Sequence, residues 1–302
     1  MKIVITGASG FVGTNLCRVL LNRGDYVTGI GTSNRQKLKH VSLEHFDWIS
    51  ADTTIAGNWQ TAIKEADVII NLTGKNIFGY WTQKYKAQIY NSRVLTTKNI
   101  VDAMQKKGDK KQLLLNASAV GYYGNRGEDS LIESESFGND FLAKVCVDWE
   151  NCALKAEDKG ARVIIMRFGV VLGKNGGALE KMLPSFKLFA GGPLGKGTHW
   201  FPWIHIDDLI GAILFFIETQ TISGAVNLVA PQTLRHKEFT SALGEALNRP
   251  SFMPAPAFMV KAVMGEMGEA FLSSQKAIPF VLNKSGFKFK YPDIEAALED
   301  IL

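Results

Sequence analysis

Along the first 174 residues, short β-branched apolar runs alternate with longer stretches in which apolar residues return every three or four positions. KIVITG is such a run, ended by a glycine, and YVTGIGT, ADVIINLTG, KQLLLNASAV and ARVIIMRFGVVLG repeat the pattern. Between them, FVGTNLCRVLLNRG places Val12, Leu16, Val19 and Leu20 on one helical face and stops at Gly24, which suits a C-terminal cap. KAQIYNSRVLTTKNIVDAMQKKG and FLAKVCVDWENCALKAEDKG read as two further helices. Strands separated by helix-length crossovers predict a mostly parallel sheet covered on both faces. Right-handed crossovers then give an α/β fold, the doubly wound Rossmann arrangement.

The alternation weakens after residue 174. GGPLGKGTHWFPW reads as a loop, WIHIDDLIGAILFFIE as a strand entering a helix, and GAVNLVA as another strand. Helical patterns return in MVKAVMGEMGEAFL and PDIEAALEDIL. The division this predicts is a nucleotide-binding domain over residues 1–174, with its sheet completed by part of 200–230. Residues 175–302 form a small substrate-cap and C-terminal helical subdomain over the mouth of the sheet.

Composition narrows the picture only slightly. The 302 residues are 46% hydrophobic and 21% charged, ordinary values for a globular chain with a full core. The net charge of +5 is scattered, which offers modest attraction for an anionic ligand and no nucleic-acid footprint. The longest apolar run, LIGAILFFI, is too short to span a bilayer, so no membrane partner is expected. Cys17, Cys146 and Cys152 show no metal or redox spacing and read as free thiols in a reducing compartment. With a strand starting at once, MKIVITGASG leaves no room for a signal peptide, and the expected location is cytoplasmic.

Residues 7–13 read GASGFVG, directly after a strand and opening a helix. Gly7 permits the tight turn, Gly10 lets the backbone approach a pyrophosphate, and Gly13 lets helix and strand pack closely. Ser9, Phe11 and Val12 complete the turn, whose free N–H groups and helix dipole favour phosphate. An acidic residue at the end of the second strand would grip the ribose of NAD, but the chain there reads GTSNRQK. Thr32, Ser33 and Arg35, with Lys37 beyond, suit a 2′-phosphate, so NADP (NADPH) is favoured over NAD. The alternative reading makes Arg35 and Lys37 solvated loop charges.

GASGFVG, NLTG at 71–74, NASAVGYYG at 116–124, MRFGVVLG at 166–173 and WIHIDD at 203–208 occur in one order. Together with SRVLTT and the terminal SQKAIPFVLNKSGFKFKYPDIEAALEDIL, they resemble the extended, atypical branch of the short-chain dehydrogenase/reductase superfamily. The resemblance is closest to the group called epimerase family proteins and covers essentially the whole chain. It implies that Leu72, Thr73 and Gly74 lie under the adenine and ribose. It also implies that Arg93 reaches the cofactor with Gln88 about one turn away, and that Phe168 faces the nicotinamide end.

Orthodox members of the superfamily carry a tyrosine and a lysine four residues apart on one helix face, the lysine stabilising a phenolate that otherwise forms only near ~10. Here the helix reads NDFLAKVCVDWE, and counting back from Glu150 puts Leu142 and Cys146 in those slots. The dyad is absent. Ser118 fits the serine that aligns a substrate, and Tyr123 is the candidate replacement proton donor, with aromatic packing at the sheet edge as its competing reading. Tyr122, His199, Trp203 and Trp81 are candidate substrate contacts, with aromatic packing as the competing reading for each. Two functions stay open: an oxidoreductase or epimerase acting on a small molecule, and a silent NADP-binding regulator or redox sensor. A homodimer through the helices at 83–107 and 141–159 is a further expectation.

Overall fold

The computed structural model describes residues 1–32, 44–105 and 111–302. Among them, seven parallel strands form the central sheet. Their spatial order is Gly224–Leu228, Arg162–Phe168, Leu113–Ala119, Val68–Asn71, Lys2–Thr6, Tyr26–Gly31 and Phe46–Ser50. The chain starts in the middle of the sheet, winds outward one way, then returns and winds the other. The reversal falls between Lys2–Thr6 and Val68–Asn71, where Thr6 lies opposite Asn71. In open α/β sheets the crevice at the carboxyl ends of such a switch point is where ligands sit. The expected doubly wound Rossmann sheet is therefore present.

Helices cover both faces, which is why strands such as VIIN and LLLNASA read as nearly continuous apolar runs. On one face the helix Phe11–Asn22 buries Leu16, Cys17 and Leu20 against Leu209, Ile213 and Phe216 of the helix Ile206–Glu218. On the other, Ile63, Ile100 and Ala153 come from the helices Gln60–Glu65, Gln83–Ala103 and Phe141–Leu154. Each fully buried Leu, Ile or Phe contributes about 1.5–3 kcal/mol to this sandwich.

Two caps fix the phase of the helices that reach the sheet's carboxyl edge. The Thr82 hydroxyl accepts from the Tyr85 amide at 3.2 Å, and Asp140 Oδ1 accepts from the Ala143 amide at 2.9 Å. The edge strand Phe46–Ser50 was not expected. FDWIS is short, and Asp47 and Ser50 interrupt its apolar run because an edge strand is covered less fully than a central one.

Beyond the sheet, Trp203, Phe239 and Leu298 belong to a third apolar cluster that includes the last helix, Ile294–Ile301. The buried Asp208 carboxylate holds the terminal segment, accepting from the Lys290 amide at 2.6 Å and the Tyr291 amide at 2.9 Å. His205 caps the helix Ile206–Glu218 by accepting from the Asp207 amide at 3.1 Å, and its ring lies 4.0 Å from that of Tyr291. No helix among the described residues is long and apolar enough to cross a membrane.

Candidate functional site

The turn after the first strand is pressed onto the backbone that follows Val68–Asn71. Gly7 has φ +73°, and a Cβ there would meet the Leu72 carbonyl at 2.8 Å. A Cβ on Gly13 would meet the Gly7 carbonyl oxygen at 2.5 Å. Both positions therefore demand glycine. The N-cap residue of the helix that begins at Phe11 is Gly10, which makes no side-chain cap, so its amino-terminal N–H groups are available to an anion.

A cavity of about 410 Å³ opens there. Gly7, Gly10, Phe11, Val12 and Gly13 form one wall, and Leu72, Gly74 and Arg93 form another. Ser118, Leu142, Cys146 and Phe168 close the far end. Arg93 Nη1 donates to the carbonyls of Ile89 at 3.0 Å and Lys75 at 3.1 Å, and its guanidinium lies 5.3 Å from the Trp149 ring centre. Burial pulls its pKa below the ordinary value, and it makes no ion pair among the described residues. A cation so placed suits an anionic ligand. Thr73, next to this wall, has a buried hydroxyl with no partner among the described residues, and Ser9 lies at the end of the second strand beside Gly31. Thr32 is exposed at that same end, while Ser33 and Arg35 lie outside the described residues.

Ser118 stands at the end of the strand Leu113–Ala119, opposite Arg167. Its hydroxyl donates to Glu150 Oε1 at 2.5 Å. Arg167 grips the same carboxylate with Nε at 3.0 Å from Oε1 and Nη2 at 2.8 Å from Oε2. The side chains of this pair are only 4% and 7% exposed. Burial disfavours the Arg167 charge, but the Glu150 bonds and charge outweigh it and hold the guanidinium's pKa above its usual value. With its proton given to Glu150, Ser118 presents acceptor lone pairs to the cavity.

Tyr123 belongs to the wall behind this network. It is fully buried, its hydroxyl lying 2.8 Å from Asn227 Oδ1 and receiving a bond from Arg167 Nη1 at 3.0 Å. Burial drives its pKa up to about 12. The expectation that Tyr123 donates a catalytic proton is corrected: it lines neither this cavity nor the cleft beside it. Tyr122 is likewise structural, with Arg167 lying 3.5 Å from its ring centre and Phe137 packed edge-on.

The dyad slots do face the cavity, but with Leu142 and Cys146. Burial, then the Glu150 charge, raises the Cys146 thiol to about 12, so it is neither a thiolate nucleophile nor a substitute cation at neutral pH. Leu142 also lines a second, open cleft of about 920 Å³. Trp81, Lys86, Phe141 and Lys144 form its floor, and Lys261, Glu266 and Glu269 its roof. Trp81 meets Phe141 edge-on at 5.3 Å. The ion pairs Lys86–Glu266 at 2.7 Å and Lys261–Glu269 at 3.1 Å leave Lys144 as the lysine of this cleft with no ion pair among the described residues.

The sequence model of the NAD-dependent epimerase/dehydratase family matches residues 3–228. The chain belongs to that family. Residues 255–301 match a separate domain of unknown function, DUF1731. An Arabidopsis thaliana relative, the chloroplastic homologue of epimerase family protein SDR39U1, is 36% identical, the alignment covering 100% of this chain and 87% of the relative. The Bacillus subtilis epimerase family protein YfhF is 35% identical over 100% of this chain and 98% of its own. The crystal structure of human epimerase family protein SDR39U1 with NADPH superimposes with a TM-score of 0.87 at 30% identity, covering 100% of this chain and 99% of that one.

Against this family background, three further site expectations are corrected. Gln88 is exposed; the helix turns the adjacent Ile89 inward instead, and Gln88 does not reach the cavity. Trp203 is 1% exposed and packs in the third apolar cluster. His199 stacks on His236 at 4.8 Å and lines neither the cavity nor the cleft. Burial takes the His199 pKa down to about 4 and that of His236 to about 3. The loop GTHWFPW thus fills the cap more than it meets a substrate.

Sequence reasoning missed the buried lattice beneath the site. Thr6 donates to Asn71 Oδ1 at 2.7 Å, and Asn71 Nδ2 donates to Asn116 Oδ1 at 2.7 Å and to Thr97 Oγ1 at 2.9 Å. Its signal was present in the amide residues that end the apolar runs VIIN and LLLN.

Proposed function

We propose that this chain binds NADP(H) and acts as an oxidoreductase or epimerase on a small molecule held in the cleft beside Leu142. The observation that carries the reading is that two cavities meet at one residue: Leu142 lines both the glycine-turn cavity and the 920 Å³ cleft. A protein that only stored nucleotide would have no use for the second space. NADPH, when bound, supplies a hydride. The chain's own residues do the rest: the turn at Gly7, Gly10 and Gly13 admits a pyrophosphate, Arg93 offers a buried cation, and Phe168 with Gly169 walls the end nearest Ser118. Ser118, its proton committed to Glu150, accepts a hydrogen bond from a ligand N–H or O–H and so orients it. The preference for NADP is supported by the human relative crystallised with NADPH and by the lack of a carboxylate in GTSNRQK.

The second reading, a nucleotide-binding regulator without turnover, is favoured by Leu142 and Cys146, which offer no usable acid or base where the chemistry needs one. The deciding experiment uses NADPH deuterated at the transferable position and a panel of carbonyl metabolites. Deuterium leaving the cofactor, and lost in Ser118→Ala, supports turnover. Tight NADPH binding with no transfer across the panel supports the regulator, and no NADPH binding removes both.

A further inference from the structure

Two neighbouring segments of the cap, residues 187–196 and 249–265, contain no aspartate or glutamate. They are joined edge to edge. The Gly195 amide donates to the Ala255 carbonyl at 2.8 Å, and the Ala255 amide donates to the Pro193 carbonyl at 2.9 Å. The surface they make is unusually apolar for one facing water. Phe252 is 79% exposed, Leu188 77%, Val263 75% and Phe258 73%. Phe189 stands out beside Leu188 with φ +61°, a conformation that costs a bulky residue energy, and Arg249 sits 4.8 Å over its ring. Lys187, Lys196 and Arg249 make no ion pair among the described residues, while Lys261 is paired with Glu269.

We infer that this edge of the cap docks on an anionic phospholipid surface, with Phe252, Phe258 and Leu188 entering the interface and Lys187, Lys196 and Arg249 facing the headgroups. Protruding apolar side chains with Lys187, Lys196 and Arg249 in the same two segments, and the nearby carboxylates Glu266 and Glu269 already paired with Lys86 and Lys261, match the two requirements of interfacial binding: buried apolar area and attraction to negative lipid. A second copy of the chain fits less well, because a two-fold contact through this edge brings together two patches that each carry unpaired cations and no carboxylate within the two segments. This contact lies on the membrane and spans nothing, which is consistent with the absence of a long apolar helix among the described residues.

The full chain, with its circular dichroism spectrum as the check of its fold, is sedimented with phosphatidylglycerol–phosphatidylcholine vesicles and with pure phosphatidylcholine vesicles. The expected result is binding to the first alone, lost at ~1 M salt, where the Debye length shrinks to about 3 Å. Phe252→Ser with Phe258→Ser, both exposed and so harmless to the core, is expected to weaken it by about tenfold or more. Lys187→Glu with Arg249→Glu is expected to abolish it. No sedimentation with anionic vesicles at low salt overturns the inference. So does binding that survives both double variants. A wild-type dimer in gel filtration that dissociates in the phenylalanine variant overturns it in favour of a protein interface.

Discussion

Ser118 and Arg167 share one buried carboxylate: the Ser118 hydroxyl donates to Glu150 Oε1, and Arg167 spans both Glu150 oxygens. They face each other across neighbouring strands of the sheet, so Glu150 ties the helix Phe141–Leu154 to the sheet's carboxyl edge beside the cavity.

Removing the charge at the centre of this arrangement leaves a buried guanidinium without its partner. Glu150→Gln is expected to cost about 3 kcal/mol or more, read from the urea unfolding midpoint. Adding Arg167→Met should recover part of the loss, because it deletes the orphaned charge. A single variant as stable as the parent would mean that the pair contributes nothing.

Arg93 lines the cavity with no acidic partner among the described residues. Arg93→Met keeps much of its packing on Trp149 and removes the cation, so NADPH affinity should fall about 10- to 100-fold with the circular dichroism spectrum unchanged. Unaltered affinity would place the phosphates elsewhere.

The stacked His199 and His236 give the cap an acid limit. Burial lowers both pKa values, to about 4 and about 3, from an unfolded value near 6.5. The unfolded chain therefore binds the extra protons first as pH falls. The stabilisation from the neutral pair is complete above the unfolded value and is lost progressively from there towards the folded ones. Thermal melts from pH 7 down to about 4 should show a slope that is reduced in His199→Phe.

The three thiols differ in access. Cys17 and Cys146 are buried with pKa values raised to about 12, whereas Cys152 is only half-buried beside the groove between the two long helices. Iodoacetamide at mildly alkaline pH should label Cys152 first and the other two only on unfolding, as peptide mass spectrometry would report. Early labelling of Cys146 would show that the cavity end is more open than its burial indicates.

The sheet was legible because its central strands are β-branched runs cut by glycine, and the turn GASGFVG lies at the cavity as its glycine spacing predicts. The slots of the missing dyad were legible through the family resemblance, which anchors the count at Glu150 and gives Leu142 and Cys146, or Phe141 and Val145 one register off; Leu142 and Cys146 both line the cavity. What failed were most of the aromatic and imidazole assignments, Trp81 in the cleft and Phe168 in the cavity being the exceptions. Tyr123, Trp203 and His199 have the right chemistry for a site, but a residue's type does not say whether it faces a cavity or a core. That depends on contacts from distant segments: Tyr123 is fixed by Asn227, which follows it by 104 residues. The cleft was invisible for the same reason, since its roof comes from the terminal domain. The residues on which the 2′-phosphate argument leans, Ser33 and Arg35, lie outside the described residues.

Asp208 sets an order of events during synthesis. The amides it accepts from, on Lys290 and Tyr291, follow it by 82 and 83 residues and so are made after the whole sheet. At a ribosome's pace of roughly 5–20 residues per second, a nascent chain carries this carboxylate unsatisfied for on the order of several seconds. The parallel sheet, whose last strand ends at Leu228, emerges well before that wait is over. The segment that bonds Asp208 is made after every strand of that sheet, so a ligand that enters before it meets an open-topped vessel.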